Sequence, residues 1–541
     1  MKVVEEVVKW MRNNGVKRFF GIPGGGSSLE LINEAERQGI RFFLASHEGS
    51  AGIMAAVTGD LEKNVGVACS IMGPGALNVA FAIGHSKLEN LPLILFTERF
   101  SESSINKISS QRLSHQALFS DLVKWHATIY EHNVHEILES AYHKALECRP
   151  GPVHIDIPND IILKESNCKS VSRVAGKPQK VDLKEFDAFV NKIENSERPV
   201  LLIGAGAKNS DISLITEEFI NKINIPFLPT FRGRGIVTEE HPLFGGVVFG
   251  LDQEGSFENT IISLSDLIIQ IGVDKVEIPR VWPYKQETII IDTCDIGEEI
   301  VGNPSIKLIG DIREILTLIV ADIRNRKCWN ENIVSDLWSQ LLEKIDHNED
   351  KISPESVITT VRDLFPGDGV CVTETGVFNM MMGHLWKVYM PDSYICSSGN
   401  NTMGFALPAM ISVKLSVPLR KVVGFMGDGS LLMRAGELEG LSRVNGGTVA
   451  IVFKDGGLGT IKMKMKAQNY NLDSLDFSDV NFSELARVFS INSVMVKSLK
   501  GFKDEFKKAL NCDKPTIIEV LVDVDTYDNF IKEIRSNSKL N

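Results

Sequence analysis

The sequence lacks the features that mark a membrane protein, a nucleic-acid-binding protein or a disulfide-stapled fold. No apolar run approaches the roughly 20 residues that a membrane-spanning helix needs. Basic residues are not in excess, and a formal net charge of −12 does not suggest a nucleic-acid-binding surface. The eight cysteines are scattered and include no CxxC pair. We therefore expect reduced thiols rather than a disulfide framework or a zinc site.

A signal-peptide pattern is also missing from the first residues. Apolar side chains recur at helical spacing from Val3 to Met11, but Glu5 and Glu6 lie among them. This pattern predicts an amphipathic helix, and we expect a cytoplasmic protein. The 541 residues are too many for one hydrophobic core, so about three domains are expected.

Residues 422–459 carry the most informative pattern in the chain. Two apolar runs, 422–426 and 448–453, are separated by a helical segment, and each run ends in a polar, glycine-rich turn. Strand, turn, helix, strand, turn is the pattern of a βαβ unit in a parallel sheet. The two turns then lie at the carboxyl ends of the strands, which is where open α/β sheets bind ligands.

Two carboxylates stand in these turns, Asp428 and Asp455. If the two strands are neighbours, both carboxylates can reach one hard cation such as Mg²⁺, which usually takes one or two carboxylates together with phosphates and water. The glycines leave backbone N–H groups free for phosphate oxygens. Alternatively, these are ordinary polar turns in which aspartate caps a helix.

The same stretch resembles the thiamine diphosphate motif of the family of acetolactate synthase, benzoylformate decarboxylase and pyruvate decarboxylase. The resemblance rests on GDG, a helix with Glu-Leu, and an apolar strand that ends in a polar pair. It implies that Asp428, Asp455 and the backbone carbonyl of Gly457 hold Mg²⁺. The chain has Lys454-Asp455 where the family often has Asn-Asn, a change that keeps an oxygen ligand at Asp455.

Four motifs near the amino terminus extend the resemblance. FGIPGG, SHEGSA, GPGALN and PGPVHIDIP follow one another in the order found in the pyrimidine-binding domain of that family. The resemblance implies that Glu48 activates the cofactor at its aminopyrimidine ring and that Pro23, Gly24 and Asn78 are cofactor contacts. The alternative for Glu48 is a carboxylate that merely stabilises a helix N-terminus.

The last part of the chain also matches. The resemblance implies that Met403 supports the bent cofactor, although methionine is also a common core filler. The other implied cofactor contacts, which surround the diphosphate, are Thr375, Gly376, Val377, Gly427, Gly429, Ser430, Leu458 and Gly459.

The predicted fold is α/β, with three domains that each contain a mostly parallel sheet flanked by helices. We expect a pyrimidine-binding domain (1–165), a polar, lysine-rich linker (166–190), a central Rossmann-like domain (191–345) and a diphosphate-binding domain (346–541). The central segment has only a GxG, at 204–206, and residues 272–277 lack the arginine of FAD-bearing relatives. The FRGRG of 231–235 could suit a diphosphate, yet we do not expect FAD.

Differences from relatives narrow the reaction. Pyruvate decarboxylases have a His-His pair in the first domain, which this chain lacks. They also have a glutamate where this chain has Ile461 or a neighbour, so simple pyruvate decarboxylation is not supported. Gln111 aligns with a glutamine of acetolactate synthases and could reach a donor carboxyl or an enolamine hydroxyl. Arg99, Arg112 and His115 lie in the same region and could receive an anionic acceptor; alternatively, they are surface loop residues.

The function expected from the resemblance is a thiamine diphosphate- and Mg²⁺-dependent enzyme. It would decarboxylate a 2-keto acid, with pyruvate as the expected donor, and transfer the acyl unit to an acceptor, with Glu48, Gln111 and His115 as the catalytic candidates. The alternatives are a decarboxylase or lyase of the benzoylformate or 2-hydroxyacyl-CoA type and, more remotely, a non-catalytic binding protein. We expect a homodimer or homotetramer with active sites at the subunit interface, because relatives bind the two ends of the cofactor with different subunits.

Overall fold

The computed structural model describes residues 1–167, 183–208, 210–249, 257–278, 281–297, 301–343, 352–522 and 527. These residues form three sheets, and all the strands that pair within them run parallel. Helices flank each sheet, so the predicted α/β class is confirmed. Among the residues described, no helix combines the length and apolarity needed to cross a membrane.

The first sheet has six strands in the order β2-β1-β3-β4-β6-β5. Its strands are β1 (Arg18–Ile22), β2 (Arg41–Leu44), β3 (Gly66–Ser70), β4 (Leu93–Arg99), β5 (Trp125–Thr128) and β6 (Pro152–Pro158). Its helices are α1 (Val3–Asn13), α2 (Ser27–Arg37), α3 (Glu48–Leu61), α4 (Pro74–Leu88), α5 (His115–Phe119) and α6 (Val134–Leu146). The predicted amphipathic helix is α1, whose apolar side chains are buried.

The central sheet has five strands in the order β11-β10-β9-β7-β8. Its strands are β7 (Pro199–Ile203), β8 (Phe227–Pro229), β9 (Leu267–Ile271), β10 (Glu287–Asp292) and β11 (Pro304–Ile309). Its helices are α7 (Leu183–Asn195), α8 (Ser213–Ile223), α9 (Phe257–Leu264), α10 (Ile312–Asp322) and α11 (Glu331–Glu343). Short 3₁₀ turns occur at Ala205–Ala207 and Lys275–Glu277.

The third sheet has six strands in the order β13-β12-β14-β15-β17-β16, which repeats the strand order of the first sheet. Its strands are β12 (Val370–Thr373), β13 (Tyr394–Cys396), β14 (Val422–Gly427), β15 (Thr448–Lys454), β16 (Asn492–Val496) and β17 (Thr516–Leu521). Its helices are α12 (Pro354–Leu364), α13 (Val377–Leu385), α14 (Ala406–Ser416), α15 (Asp428–Met433), α16 (Leu438–Ser442), α17 (Gly459–Ala467), α18 (Phe482–Val488) and α19 (Leu499–Leu510).

The linker predicted at 166–190 extends too far at its carboxyl end. Residues 168–182 lie outside the described residues, but α7 already begins at Leu183. Phe189 and Ile193 of this helix are fully buried against the central sheet. Their helical spacing was obscured because lysines lie between them and before them in the sequence.

Helix α3 joins the first and third domains. Nearly all of its residues are buried, because it packs against α4 of its own domain and against α14 of the third domain. Thr58 of α3 and Ser412 of α14 share a hydrogen bond of 2.8 Å between their hydroxyl groups. A helix that is apolar on all sides is expected to be buried in this way.

One buried cation connects all three domains. Nζ of Lys208, in the central domain, lies 2.6 Å from Asp60 Oδ2 in the first domain and 3.0 Å from Asp392 Oδ1 in the third. Burial opposes the charge of each group, but the opposite charges prevail, so the pKa of Lys208 is raised and that of Asp60 is lowered. Lys208 and Asp60 are therefore both charged at neutral pH.

A disulfide links the first domain to the central domain, which corrects the expectation of reduced thiols only. Cys148 and Cys294 are bonded, with their Cα atoms 5.6 Å apart. The next residue, Arg149, forms a bidentate ion pair with Asp292 at 2.7–2.9 Å. The two cysteines are 146 residues apart in the sequence, so their spacing could not reveal the pairing.

Candidate active site

Strands β14 and β15 are parallel neighbours, as the βαβ prediction required. Gly427, the last residue of β14, pairs with Phe453 of β15. Asp428 follows immediately as the first residue of α15, and Asp455 follows the end of β15. The two carboxylates therefore lie together at the carboxyl edge of the third sheet.

Backbone N–H groups of the two turns hold both carboxylates in place. Gly429 donates to Asp428 Oδ1 at 2.7 Å, and Gly456 donates to Asp428 Oδ2 at 2.8 Å. Gly457 donates to Asp455 Oδ1 at 3.2 Å. Asp428 thus bridges its own turn and the neighbouring one, which fixes its orientation.

The pKa values at this edge show the cost of placing two carboxylates together. Burial and then the charge of Asp428 raise the pKa of Asp455 to about 7. Burial also raises the pKa of Asp428, although backbone N–H groups partly oppose the rise. A divalent cation between the two groups would remove this repulsion, so the donor set fits Mg²⁺.

Glycine is required at several positions of the second turn. A Cβ on Gly457 would lie 2.3 Å from the carbonyl oxygen of Leu475, and one on Gly459 would lie 2.3 Å from Asp455 Oδ2. Gly456 has a φ of +75°, which side-chain-bearing residues rarely adopt. The turn therefore brings bare backbone against the carboxylates, which suits a site that holds a phosphate group.

A cavity of about 450 Å³ opens over the two carboxylates. It is lined by twelve of the predicted cofactor contacts: Thr375, Gly376, Val377, Met403, Gly427, Asp428, Gly429, Ser430, Asp455, Gly457, Leu458 and Gly459. It is also lined by Ile461, whose apolar character had been noted, and by residues that the sequence analysis did not select: Phe378, Asn401, Phe453, Thr460, Lys464 and Tyr527. Lys464 could have been found, because it lies about one helical turn after Ile461 on α17.

The other four predicted cofactor contacts lie in the first domain and do not line this cavity. Glu48 begins α3 and is 7% exposed, and its Oε2 accepts a hydrogen bond of 2.9 Å from Asn78 Nδ2. Pro23 and Gly24 follow β1, and the N–H of Gly24 donates to Ser28 Oγ at 2.8 Å. Glu48 and Asn78 therefore form a pair of their own at the N-terminal ends of two adjacent helices.

Gln111 lies beside Gly73, just before the helix that carries Asn78, whereas His115 is hydrogen-bonded to Asp156. Gln111 is exposed with a φ of +59°, and its Cβ lies 2.9 Å from where a Cβ on Gly73 would be, just before α4. The buried His115 donates from Nδ1 to Asp156 Oδ1 at 2.6 Å. The two catalytic candidates thus have different surroundings.

A second cavity, of about 540 Å³, lies in the first domain. Arg99, Arg112 and His115 all line it, together with His126 and Asp156. The three residues proposed for an anionic acceptor therefore share one cavity. Burial lowers the pKa of His126, which leaves this imidazole neutral at pH 7.

Behind this cavity lies the fully buried His154, whose pKa burial lowers to about 3. Burial opposes ionisation of the neighbouring Asp156, but the hydrogen bond from His115 and the nearby histidines lower its pKa below the ordinary value. Asp156 is therefore ionised at neutral pH, while His154 is neutral.

Glu374 is a buried acid that the sequence analysis passed over. It follows β12, next to Thr375, and its Oε2 accepts hydrogen bonds from the N–H groups of Phe405 and Ala406 at 2.8 and 3.0 Å. Burial raises the pKa of Glu374 to about 7. It anchors the segment that carries Met403, and its position directly after a strand was a usable signal.

The FRGRG stretch of the central domain is used for internal contacts. Arg234 pairs with Glu239 through two bonds of 2.7 Å, and Arg232 contacts Glu89 of the first domain. The N–H of Ala205, in the GxG turn, donates to the carboxylate of Glu277. Both arginines therefore already have protein partners.

Comparison with known proteins identifies similar chains. Three family models match: "Thiamine pyrophosphate enzyme, N-terminal TPP binding domain" over residues 1–119, "Thiamine pyrophosphate enzyme, central domain" over 186–319, and "Thiamine pyrophosphate enzyme, C-terminal TPP binding domain" over 374–520. The chain is 26% identical to the acetolactate synthase of Bacillus subtilis, over 98% of this chain and 94% of that protein. It is 27% identical to the probable acetolactate synthase large subunit of Methanocaldococcus jannaschii, over 97% and 92%. It is also 27% identical to the acetolactate synthase large subunit of Lactococcus lactis, over 95% and 92%.

Proposed function

The chain belongs to the thiamine pyrophosphate enzymes of the acetolactate synthase type, and we propose that it decarboxylates a 2-keto acid and transfers the acyl unit to an anionic carbonyl acceptor. Pyruvate is the proposed donor. The observation that carries the proposal is the cavity at the edge of the third sheet, where Asp428, Asp455 and Met403 meet. Glu48 with Asn78 supplies the matching group in the first domain.

Thiamine diphosphate, when bound, would supply the nucleophilic thiazolium carbon that adds to the keto group. Asp428, Asp455 and the carbonyl of Gly457 are the proposed ligands of Mg²⁺, which would offset part of the negative charge of the two buried carboxylates and the diphosphate. The backbone around Gly427 and Gly429 is proposed to receive phosphate oxygens, because glycine there leaves room for a close approach. Met403 is proposed to support the ring system from one wall of the cavity.

Glu48 is the proposed proton-handling group at the aminopyrimidine end. Its carboxylate is buried and oriented by Asn78, so it can hold a hydrogen bond at a ring nitrogen without competing water. Gly75 contributes to this arrangement, because a Cβ there would approach Glu48 Oε1 to 3.2 Å. Pro23 and Gly24 are proposed to contact the same end of the cofactor.

The acceptor is proposed to bind next to the aminopyrimidine end of the cofactor, in the first-domain cavity of about 540 Å³. Arg112 lines this cavity, and so does Arg99, whose guanidinium also pairs with Glu102; these two cationic groups could receive a carboxylate. Gln111 is proposed to contact the substrate near the reacting carbon, since it lies beside Gly73 at the start of α4. His115 is proposed to line the acceptor cavity.

The complete site is proposed to form between two copies of the chain, in a homodimer or homotetramer. The support is that the four first-domain contacts, Glu48 among them, do not line the cavity that contains Asp428. The central domain is proposed to act without FAD. The support is that Glu277 receives the N–H of the GxG turn and Arg234 is paired with Glu239.

Product analysis tests the reaction directly. The protein, supplied with thiamine diphosphate and Mg²⁺, is incubated with labelled pyruvate alone and with 2-keto acid, aldehyde or ketone acceptors. We expect carbon dioxide release coupled to a ligated product, and little free aldehyde, because the apolar Ile461 lines the cavity where a proton donor would be needed. Free aldehyde as the main product would instead favour the simple decarboxylase, and no turnover with any donor would favour a binding protein.

A further inference from the structure

Three buried side chains of the first domain converge on one point away from the Asp428 cavity. His115, His154 and Asp156 each offer a ligand atom, and these atoms all lie within 4.8 Å of one another. Asp156 Oδ1 is 2.6 Å from His115 Nδ1 and 3.7 Å from His154 Nε2. Two imidazoles and a carboxylate form a donor set that binds divalent transition metals.

The cluster is built on rigid elements. His154 and Asp156 are two residues apart on β6, so both side chains point to the same face of the sheet. His126 lies on the adjacent strand β5, in register with His154. His115 is the first residue of α5, which is packed over this face. Two of the three ligand positions are therefore set by the sheet, and the third is set by the start of α5.

Two nitrogens of the cluster have no hydrogen-bond partner within the described residues. Nε2 of His115 and Nε2 of His154 are both fully shielded from solvent, and the side chains are 4% and 0% exposed. Buried polar atoms are nearly always paired, since leaving one unpaired is costly. The unpaired Nε2 of His154 faces Asp156 Oδ1, and a cation between these two atoms would satisfy it.

His126 provides the outer contact that metal-binding histidines commonly have. Its Nδ1 lies 2.8 Å from Nδ1 of His154, so one of these nitrogens must donate to the other. When His154 donates, its Nε2 carries the lone pair and faces Asp156 Oδ1. A ligating histidine usually donates its second N–H in this manner, which fixes the tautomer and the ring orientation.

We propose that His115, His154 and Asp156 form a binding site for a divalent transition-metal ion, with Zn²⁺ as the expected occupant. Ligand atoms around Zn²⁺ are separated by roughly 3–3.5 Å, as bonds of about 2.0–2.2 Å require. The observed separations of 2.6 and 3.7 Å bracket this range. The ion takes the place of the proton between His115 Nδ1 and Asp156, and His115 then binds as the neutral tautomer that carries its proton on Nε2.

This site is chemically distinct from the one at Asp428 and Asp455. Mg²⁺ prefers oxygen ligands, whereas imidazole nitrogen favours zinc and similar ions. Three protein ligands leave one position of a tetrahedral ion open, and His115 and Asp156 both line the first-domain cavity. That position accordingly takes water or an anionic oxygen from this cavity, and the proposal does not depend on the reaction proposed above.

The test is equilibrium dialysis of the full-length protein against Zn²⁺ in the presence of excess Mg²⁺, followed by elemental analysis. We expect one tightly bound Zn²⁺ per chain. His115→Ala and Asp156→Asn should each weaken binding by at least the roughly 10–100-fold that loss of an outer contact costs. His132→Ala is the matched control, because His132 is an exposed histidine of the same domain, and it should bind like the wild type.

Cobalt spectroscopy of the wild-type protein provides a test that does not require a folded variant. Co²⁺-loaded wild-type protein should show the strong visible absorption of a four-coordinate site with nitrogen ligands, and the folded Asp156→Asn variant should lose it. The proposal is overturned if the wild type binds no Zn²⁺ above the background seen without protein. It is equally overturned if folded His115→Ala and Asp156→Asn variants keep wild-type affinity, or if bound Co²⁺ shows only the weak spectrum of six-coordinate, water-ligated cobalt.

Discussion

Asp455→Asn should make the metal-free protein more stable while weakening its affinity for the cofactor. Burial and the charge of Asp428 raise the pKa of Asp455 from 3.8 to about 7. Because a tenfold change in proton affinity is worth about 1.4 kcal/mol, ionising Asp455 in the folded protein costs up to about 4 kcal/mol. Asparagine has a similar shape and carries no charge, so the variant avoids most of this cost.

The pH dependence has a definite sign. Between about pH 4 and pH 7 the folded protein binds more protons at Asp455 than the unfolded chain does, so its stability falls as the pH rises. The cost is absent below the unfolded pKa and is complete above about pH 7. The stability gain of Asp455→Asn should therefore be largest at pH 8 and clearly smaller at pH 5.

Thermal unfolding without metal, at pH 5 and pH 8, measures the gain. Asp473→Asn is the control, because Asp473 is exposed and lies in the same region of the third domain. Titration with thiamine diphosphate at limiting Mg²⁺ should show weaker binding for Asp455→Asn and unchanged binding for the control. An Asp455→Asn protein that is no more heat-stable at pH 8, or that gains equally at both pH values, would refute the electrostatic argument.

Three further outcomes are expected. Glu48→Gln should keep the fold and much of the cofactor affinity but slow hydrogen–deuterium exchange at C2 of bound thiamine diphosphate by about 10²–10⁴-fold, and exchange at the wild-type rate would make Glu48 structural. Mixing inactive Glu48→Gln with inactive Asp428→Ala should restore part of the activity after subunit exchange if the sites are shared, whereas a fully active monomer in light scattering would contradict sharing. Cys294→Ser should lower the free energy of unfolding by up to about 5 kcal/mol, because the disulfide closes a long loop. Reductant should lower the stability of the wild type to the same level and leave the variant unchanged. Equal stability of both proteins without reductant would show that the Cys148 pairing contributes nothing.

Local patterns predicted the part of the site that depends on neighbouring strands. The two runs before Asp428 and Asp455 are short, apolar and joined by one helix, so they could be expected to pair in parallel. Polar residues at their ends then had to lie at one edge of the sheet. The same rule applied to Glu374 after β12, but a position after a strand does not by itself distinguish a buried acid from an exposed one, and Glu374 was missed.

Contacts between distant segments could not be predicted from spacing. Cys148 and Cys294 lie in different domains, and only the packing of those domains brings them together. The partner of Arg234 is close in sequence, yet the turn that aims both side chains inward has no clear periodic pattern. His115 was selected for an anionic acceptor, but its hydrogen bond to Asp156 depends on how α5 folds over β6.

The buried ammonium group of Lys208 limits how this chain can be divided. A fragment without the central domain would keep every residue proposed to bind the cofactor. It would also leave Asp60 without the cation that lies 2.6 Å away in the full chain. Removing one partner of a buried ion pair typically costs about 3–5 kcal/mol, which is a large share of the stability of a domain. The first and third domains are therefore not expected to fold together as an independent catalytic fragment. The central domain contributes none of the proposed site residues, yet the site depends on it.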